Sequence, residues 1–276
     1  MFYTKMQGAG NSFIIAESLR GELDGTDEAA LARSLCGLRT GPGADGMIVL
    51  VPPADGADME MLFFNADGSS GEMCGNGARC VARYGVEHGL VKDPSHIRIR
   101  TPSGEVRGRR LSDDLYEIRL NDPSVIDLHR EAIVGNRTTT CSYVELGRPG
   151  LPHAVVEVTS AELDRPDRLR TRGRALRHSV SFPKGANVTF ACVTGPESAR
   201  ALTYERGVED FTDSCGTGCA SAALSLILNG RLSGESVTVD MPGGRLSVSL
   251  RREKDTVKDI LLTGPAAVSG EGMISL

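Results

Sequence analysis

A short cysteine motif occurs twice in the sequence, and each copy precedes a segment rich in small and apolar residues. The copies begin at Cys74 and Cys215, which are 215 − 74 = 141 residues apart, and both have the pattern Cys-Gly-x-Gly. This separation is about half of the 276-residue chain, whose length allows one large domain or two smaller ones. The repeat favours two equivalent lobes, each with one cysteine at the N-terminus of a helix.

Strand-like segments dominate the rest of the chain. They are short apolar runs bounded by Gly, Pro or Asp: Met47–Val51, Met61–Phe64, Ile97–Arg100, Leu115–Leu120, Ser142–Leu146, Ala154–Val158, Asn187–Val193, Ala201–Glu205, Val237–Met241 and Leu246–Leu250. A few segments have the length and pattern of helices: Glu28–Leu38, Asn76–His88, Arg165–Arg177 and Thr217–Asn229. The two that follow the cysteine motifs are rich in small and apolar residues, so we expect both helices to be buried within a sheet layer.

The segment Asn121-Asp122-Pro123 lies near the middle of the chain, between two strand-like runs. Asn, Asp and Pro favour turns, and no longer linker interrupts the sequence. We therefore predict the boundary between the lobes at residue 121. Cys74 then belongs to the first lobe and Cys215 to the second.

Charge argues against nucleic acid or an anionic membrane as the main partner. The net charge is −5, whereas both of those partners require a concentrated basic surface. Arg165–Arg177 is the densest basic run, but it contains Asp167 and no aromatic residue. We predict that this run is the solvated face of a helix.

The chain has the features of a cytoplasmic protein. It lacks the roughly 18 consecutive apolar residues that a membrane-spanning helix requires, and its first residues lack the apolar core of a signal peptide. Seven cysteines, an odd number, indicate reduced thiols rather than a disulfide framework. We therefore expect a cytoplasmic location, in which some of the thiols can act as reagents.

The repeated motif indicates acid–base chemistry at a carbon atom. Free amide groups and the positive end of a helix favour a thiolate over a thiol and also bind a carboxylate. Two equivalent lobes could present Cys74 and Cys215 to opposite faces of one α-carbon, so that one thiolate removes its proton while the opposite thiol supplies another. The product has the inverted configuration, and this chemistry requires no cofactor.

The other cysteines and the histidines do not form a recognisable metal site. The remaining cysteines fit strands or helix interiors as small hydrophobic residues: Cys36, Cys80, Cys141, Cys192 and Cys219. Their spacing is not that of structural zinc sites, and the histidines are scattered. One copy of Cys-Gly-x-Gly would also suit a tight turn beside an inert buried thiol, but two copies at matched positions argue against that interpretation.

Further motifs extend the pattern over nearly the whole chain. In order they are Lys5-Met6-x-Gly8-x-Gly10-Asn11, Gly41-x-Gly43-Ala44-Asp45-Gly46, Phe64-Asn65-Ala66-Asp67-Gly68-Ser69, Met73 to Cys80, Pro152-His153-Ala154-Val155-Val156, Phe182-Pro183, Asn187-Val188, Tyr204-Glu205-Arg206-Gly207 and Pro242-Gly243-Gly244. With these motifs and the second Cys-Gly-Thr-Gly, the chain resembles the diaminopimelate epimerase family. Its members interconvert L,L- and meso-diaminopimelate without pyridoxal phosphate.

The resemblance implies an α+β fold of two pseudosymmetric lobes, each a mostly antiparallel sheet wrapped around a central helix. It also implies that the C-terminal strand returns to the first lobe. The lobes are then residues 1–120 plus 263–276, which carry Cys74, and residues 121–262, which carry Cys215. A homodimer and a role in lysine biosynthesis are implied in the same way.

The resemblance also assigns roles to the residues that match the family's motifs. Cys74 and Cys215 are the catalytic acid and base. The substrate-binding residues are Asn11, Asn65, Gly75, Asn76, Asn187, Glu205, Arg206, Gly216 and Thr217, of which Gly75, Asn76, Gly216 and Thr217 hold the reacting carboxylate through their backbones. Arg206 suits a distal carboxylate and Glu205 suits an ammonium group.

The sequence departs from the family pattern at three places. Leu151 replaces the asparagine of the family's Gly-Asn-Pro-His, so an amide that helps to bind the far end of the substrate is missing. The stretch Gly207–Ser214 is one residue longer than usual and lacks the family's Gly-Glu-Thr. Ser12 stands where the family usually has Asp.

There are two alternatives to diaminopimelate epimerisation, of which the first follows from these departures. The first is a racemase of another free amino acid on the same scaffold, and the second is an amino-acid-binding module with inert cysteines. Proline racemases lack the context of Glu205 and Arg206, and phenazine-type isomerases lack the cysteine pair. An enzyme would invert the α-carbon and lose this activity in Cys74→Ser or Cys215→Ser, whereas a binding module would not invert it at all. A screen of amino acids as substrates would distinguish diaminopimelate epimerase from a racemase of another amino acid.

Overall fold

A computed structural model of the chain describes residues 1–71, 73–135, 137–253 and 256–274. The chain divides into two compact units. Unit 1 comprises Met1–Arg119 and Thr263–Leu276, and unit 2 comprises Leu120–Leu262. Each unit has a hydrophobic core built on strands whose side chains alternate between the two faces of the sheet.

The first part of unit 1 places two helices among its strands. Its elements are β1 (Phe2–Gly8), β2 (Asn11–Glu17), α1 (Glu28–Cys36), β3 (Gly46–Val51), β4 (Met59–Asn65), β5 (Ser70–Gly71), α2 (Gly75–Glu87), β6 (Ile97–Thr101), β7 (Gly104–Arg110) and β8 (Leu115–Arg119). Asp27 caps α1 by accepting a hydrogen bond from the backbone of Ala30 at 3.0 Å, as short polar residues commonly do.

Unit 2 follows the same plan. Its elements are β9 (Pro123–Val134), β10 (Arg137–Leu146), β11 (Leu151–Glu157), α3 (Ser160–Leu163), α4 (Pro166–Arg177), β12 (Asn187–Gly195), β13 (Ser198–Tyr204), β14 (Phe211–Thr212), α5 (Gly216–Leu228), β15 (Ser236–Met241) and β16 (Gly244–Glu253). Strand β17 (Thr256–Pro265) then leads the chain from unit 2 into unit 1, where β18 (Ala267–Met273) pairs with β1.

The pairing of strands repeats between the two units. In unit 1, β1 and β2 are antiparallel, β2 and β3 parallel, β3 and β4 antiparallel, β4 and β6 parallel, and β6 and β7 antiparallel. Unit 2 repeats this order: β10 and β11 are antiparallel, β11 and β12 parallel, β12 and β13 antiparallel, β13 and β15 parallel, and β15 and β16 antiparallel. The units therefore have equivalent topologies, in which α2 corresponds to α5.

In unit 1 the sheet lies between two helices. Ile14, Met47 and Val49 point to the face that packs against α1. The other face packs against α2, since a side chain at Gly77 of that helix would lie 3.1 Å from Ile48. Most residues of α2 are buried, as the small and apolar composition of the segment predicts.

The sheet of unit 2 is covered in the same way. One face contains Ala154, Val188 and Phe190 and packs against Leu163 of α3 and Leu169 of α4. The opposite face packs against α5, which is buried over nearly its whole length. The outer helices and the central helix thus occupy opposite faces of the sheet in both units.

The predicted helices are confirmed, each to within two residues at either end, by α1, α2, α4 and α5. Every predicted strand-like run overlaps a strand. The local residue patterns did not predict β1, β2, β7, β9, β17, the two-residue strands or the short helix α3, and β18 was expected only from the resemblance, as a C-terminal strand. These strands either carry many polar residues or, as in β2, follow directly after a glycine turn.

The basic run is a solvated helix face, as predicted. In α4 the residues Leu169, Gly173 and Leu176 are buried, whereas Arg170 is exposed and forms ion pairs with Asp167 and Asp210. Among the described residues, the helices are all too short or too polar to cross a membrane.

Candidate active site

The first cysteine motif forms the N-terminus of α2. Cys74 is the N-cap residue, and its Sγ accepts a hydrogen bond from the backbone N–H of Gly77 at 3.4 Å. Its side chain is half-buried. The first-turn N–H groups of a helix lack intrahelical acceptors, and together with the helix dipole they favour a thiolate at this position.

The second motif forms the N-terminus of α5 in the same way. Cys215 is the N-cap residue, and its Sγ accepts a hydrogen bond from the backbone N–H of Gly218, also at 3.4 Å. The hydroxyl of Thr217 lies 3.6 Å from the same sulfur. Cys215 is more enclosed than Cys74, since only 7% of its surface is exposed. The two thiols therefore have equivalent positions and equivalent backbone partners.

The second glycine of each motif allows the helix to approach the sheet closely. A Cβ atom at Gly218 would lie 2.6 Å from Oγ1 of Thr203 and 3.0 Å from Oγ1 of Thr189. At Gly77 the nearest atom, Cδ1 of Ile48, would be 3.1 Å away. Larger residues at these positions would displace the helix end that carries the cysteine.

In unit 1 the predicted residues Asn11 and Asn76 are in direct contact. The side-chain amide of Asn76 donates a 2.6 Å hydrogen bond to Oδ1 of Asn11. Gly75 and Asn76 form the start of α2 and are buried. Asn65 ends β4, and its side-chain amide donates to Oγ of Ser69 at 2.9 Å, so it stabilises the turn before β5.

In unit 2 the predicted residues Asn187, Glu205 and Arg206 lie together. Oδ1 of Asn187 accepts a 2.8 Å hydrogen bond from the backbone N–H of Arg206. The guanidinium group of Arg206 donates to the carbonyl oxygen of Lys184 at 3.1 Å. The hydroxyl of Thr212 donates to Oε1 of Glu205. These bonds fix the polar groups at the ends of β12 and β13.

His153 is a residue of this region that the sequence analysis did not assign to the site. It is fully buried in β11 and pairs with Asn187 of β12. Neither ring nitrogen has a hydrogen-bond partner within the described residues. Burial, with a smaller contribution from the charge of Arg206, lowers the pKa of His153 to about 3, so the ring is neutral at physiological pH. The only sequence signal for it is its place in the Pro-His motif.

The other cysteines are buried, as predicted. Burial raises the pKa of Cys36 and of Cys141 to about 11, and that of Cys80 to about 12. A buried thiol that keeps its proton is a poor nucleophile. Cys219 lies within α5, whereas Cys74 and Cys215 cap the N-termini of their helices.

The structure shows local contacts at two of the departures from the family pattern. Ser12 is hydrogen-bonded to Asp45: Oδ2 of Asp45 accepts hydrogen bonds from the backbone N–H of Ser12 at 2.7 Å and from its hydroxyl at 3.0 Å. The segment before Cys215 forms strand β14, which pairs with the end of β13. Phe211 of β14 packs edge-on against Tyr204, so this segment is anchored on the unit 2 core.

Solved structures with the same fold include epimerases, racemases and phenazine biosynthesis proteins of the PhzF family. A hydroxyproline epimerase from Agrobacterium vitis has a TM-score of 0.74 and 19% identity, over 100% of this chain and 92% of that chain. A probable proline racemase from Agrobacterium radiobacter has a TM-score of 0.73 and 17% identity, over 100% and 93%. These similarities define the fold class, which confirms the predicted α+β architecture of repeated sheets around central helices.

Sequence similarity identifies the family within this class. The family "Diaminopimelate epimerase" matches residues 3–117 and 148–268. A diaminopimelate epimerase from Geobacillus thermodenitrificans is 33% identical over 282 residues, which cover 96% of this chain and 93% of that protein. The chain therefore belongs to the diaminopimelate epimerase family and is an isomerase. The family resemblance found in the sequence is confirmed.

Proposed function

We propose that this enzyme inverts the α-carbon of free diaminopimelate, between the L,L and meso forms, with Cys74 and Cys215 as the acid and base. One thiolate takes the α-proton while the opposite thiol gives a proton to the other face of the carbon. The first thiolate thereby becomes a thiol and the second thiol a thiolate, so the charge of the pair is conserved. The reverse reaction uses the same residues with their roles exchanged.

The observation that carries this proposal is the equivalence of the two thiols. Each caps a central helix, and each accepts an N–H bond from the third residue after it at 3.4 Å. Two groups of the same chemistry can exchange the roles of acid and base when the reaction runs in reverse, and the repeated topology supplies such a pair. Burial raises the pKa of Cys36, Cys80 and Cys141, and these residues lie within a helix or strand and do not cap a helix N-terminus.

The helix N-termini also supply groups that can stabilise the intermediate. Removing the α-proton of an amino acid puts negative charge on the carboxylate as well as on the carbon. The backbones of Gly75, Asn76, Gly216 and Thr217 present first-turn N–H groups that suit a carboxylate. Fixed N–H donors stabilise developing negative charge without reorganisation during the reaction.

The proposed substrate rests on the family and on the polar residues of unit 2. Relatives that are 33% identical over nearly the full chain bear the name diaminopimelate epimerase. Arg206 and Glu205 provide opposite charges, which suit a substrate with a far carboxylate and a far ammonium group. A role in lysine biosynthesis follows from this substrate.

The test is to incubate diaminopimelate with the enzyme in D2O and to follow the α-proton by NMR. With two bases, the first product molecules carry deuterium from the second thiol, while the remaining substrate keeps its proton. We expect inversion to be lost in Cys74→Ser and in Cys215→Ser. The matched controls Cys36→Ala and Cys141→Ala change buried thiols of the same two units and should retain inversion.

Two results would contradict the mechanism. Product that keeps the substrate's own proton at early conversion would indicate a single base. Inversion at the wild-type rate in both serine variants would show that neither thiol takes part. Inversion of another amino acid, with none of diaminopimelate, would retain the mechanism and replace the substrate.

We also propose that the enzyme works in the cytoplasm as a homodimer. The reduced, buried thiols of Cys36, Cys141 and Cys192 support a reducing compartment. Phe2 and Met273 pair across β1 and β18 and are 49% and 82% exposed, which supports an apolar contact with a second copy. Sedimentation of the wild type and of Phe2→Ser at micromolar concentration tests this assembly.

A further inference from the structure

The proposed reaction uses neither the arginine-rich helix α4 nor the segment 207–210 that follows β13. In the structure these two parts of unit 2 lie against each other. Nε of Arg170 donates to Oδ1 of Asp210 at 2.7 Å, and Nε of Arg177 donates to Oε1 of Glu209 at 2.9 Å. The segment is therefore held on the helix by two ion pairs.

A pocket of about 660 Å³ lies between α4 and this segment. Its lining residues are Arg170, Thr171, Arg174, His178, Tyr204 and Glu209. Arg170, Arg174 and His178 are four residues apart, so their side chains follow one another along one face of the helix. A volume of this size is typical of sites that bind small molecules.

Tyr204 is the most deeply buried residue of the pocket lining, with only 1% of its surface exposed. Helix α4 approaches it closely at Gly173, where a Cβ atom would lie 3.1 Å from Cβ and Cγ of Tyr204. Phe211 packs edge-on against its ring. The hydroxyl of Tyr204 forms no hydrogen bond with any other residue that the structure describes. A buried tyrosine hydroxyl normally has a partner, and the pocket is where this one can bind it.

The acidic groups beside the pocket already have partners within the protein. Oε1 of Glu209 accepts from Arg177 and also from the backbone N–H of Gly207, at 3.1 Å. Oε2 of Glu209 lies 3.1 Å from Nε2 of His178. The carboxylate of Asp210 is paired with α4. The protein itself therefore uses the carboxylate oxygens at the edge of the pocket.

The groups that remain available in the pocket are donors. Arg174 and Thr171 are exposed, and neither side chain forms a hydrogen bond or ion pair within the described part of the chain. Together with the hydroxyl of Tyr204, they provide one guanidinium group and two hydroxyl groups. A guanidinium group binds two oxygens of a carboxylate or phosphate through parallel N–H bonds. The ligand that complements this lining therefore carries negative charge and several acceptor oxygens.

We propose that this pocket is a binding site for a small molecule with an oxyanion, either a carboxylate or a phosphate group. Arg174 is its cationic partner, and the hydroxyls of Thr171 and Tyr204 donate to its oxygens. None of these residues belongs to the proposed acid–base machinery, so the site is independent of the proposed function.

Isothermal titration calorimetry with inorganic phosphate and with succinate, at constant ionic strength, distinguishes the two kinds of oxyanion. We expect the wild type to bind at least one of them with a dissociation constant of about 1 mM or lower. Arg174→Gln should weaken this binding by about tenfold or more, and Tyr204→Phe, which removes only the hydroxyl, by about threefold. Arg168→Gln removes the same charge from α4 outside the pocket and should bind as the wild type does.

Three results would overturn this inference. The first is a wild type that binds neither probe. The second is unchanged binding in Arg174→Gln or in Tyr204→Phe, which would place the anion outside this pocket. The third is an equal loss in Arg174→Gln and Arg168→Gln, which would indicate attraction to the overall charge of the helix. Thermal unfolding of each variant without a probe verifies that it is folded, and Arg174→Lys, which keeps the charge but not the planar group, should bind with intermediate affinity.

Discussion

The side-chain amide of Asn76 is bound to the side-chain oxygen of Asn11 at 2.6 Å, although the two residues are 65 positions apart in the chain. Asn76 is only 1% exposed and lies in the first turn of the helix that Cys74 caps. Asn11 thus fixes the orientation of the helix end that carries the thiol. This contact connects the stability of unit 1 to the geometry of its proposed catalytic residue.

We expect Asn11→Ala to lower the free energy of unfolding by about 1–3 kcal/mol, because a buried amide loses its acceptor. Urea denaturation measures this change. Asn11→Asp retains an acceptor oxygen at nearly the same place and serves as the control. We expect it to lower the free energy of unfolding by less than Asn11→Ala does. Equal stability of Asn11→Ala and the wild type would show that the bond contributes nothing.

The two motif glycines should differ in their tolerance of a methyl group. Gly218→Ala brings a Cβ atom to 2.6 Å from Thr203, and overpacking of this kind costs about 1–3 kcal/mol. For Gly77→Ala the nearest atom is the flexible end of Ile48, at 3.1 Å, and the other neighbours are at ordinary contact distance. We therefore expect a larger drop in the urea midpoint for Gly218→Ala.

A second change tests the cause of that difference. Thr203→Ala removes the oxygen that the new methyl group would strike, so the double variant should recover part of the lost stability. Additive losses in the double variant would mean that the contact with Thr203 is not responsible.

Alkylation should discriminate between the thiols of the folded protein. Cys74 is half-exposed at a helix N-terminus, whereas burial raises the pKa of Cys36 and Cys141 to about 11. At pH 8 only about one in a thousand of such buried thiols is ionised. Iodoacetamide should therefore label Cys74 faster than Cys36 or Cys141. Peptide mass spectrometry at successive times measures the extent of labelling at each cysteine.

Substrate and denaturant provide the controls for this labelling. A saturating amino-acid substrate should slow the modification of Cys74, and labelling in urea should reach all the cysteines. Modification of Cys36 as fast as Cys74 in the folded protein would contradict the assignment of a reactive thiol to the helix end.

His153 should make stability depend on pH in mildly acidic solution. Burial lowers its pKa from 6.5 to about 3, so between these values the unfolded chain binds a proton that the folded chain does not. Stability is then complete above pH 6.5 and falls, by at most about 1.4 kcal/mol per pH unit, as the pH decreases towards 3.

Chemical denaturation at pH 7 and pH 5 measures this dependence, and His153→Leu provides the comparison. The variant lacks the titrating ring, so its loss of stability between the two pH values should be smaller than that of the wild type. Identical losses in both proteins would assign the dependence to other groups.

Local sequence signals located the helices that carry the cysteines. The Cys-Gly-x-Gly motifs placed the starts of α2 and α5 within one residue, because a capping side chain followed by glycine and small residues determines a helix N-terminus locally. Strand β9 was missed because its charged residues, such as Asp127 and Glu131, obscure the alternation, and most of its length is only half-buried.

Contacts between distant segments were beyond the sequence analysis. The pattern of apolar residues does not show that β2 and β3 are parallel, since that depends on which strands pack together. For the same reason, Asn11 and Asn76 were predicted as separate binding residues rather than as partners. The register that places Leu151 opposite Leu146 likewise became visible only in the structure.

The order of the two units along the chain has a consequence for synthesis on the ribosome. Unit 2 is continuous, whereas unit 1 requires Thr263 and the residues that follow it, including β18, which pairs with β1. Joining segments at least 260 residues apart in the chain closes a very long loop, which is slow to form. Unit 2 can therefore complete its fold during translation, whereas β1 can pair with β18 only after the C-terminal residues have been synthesised.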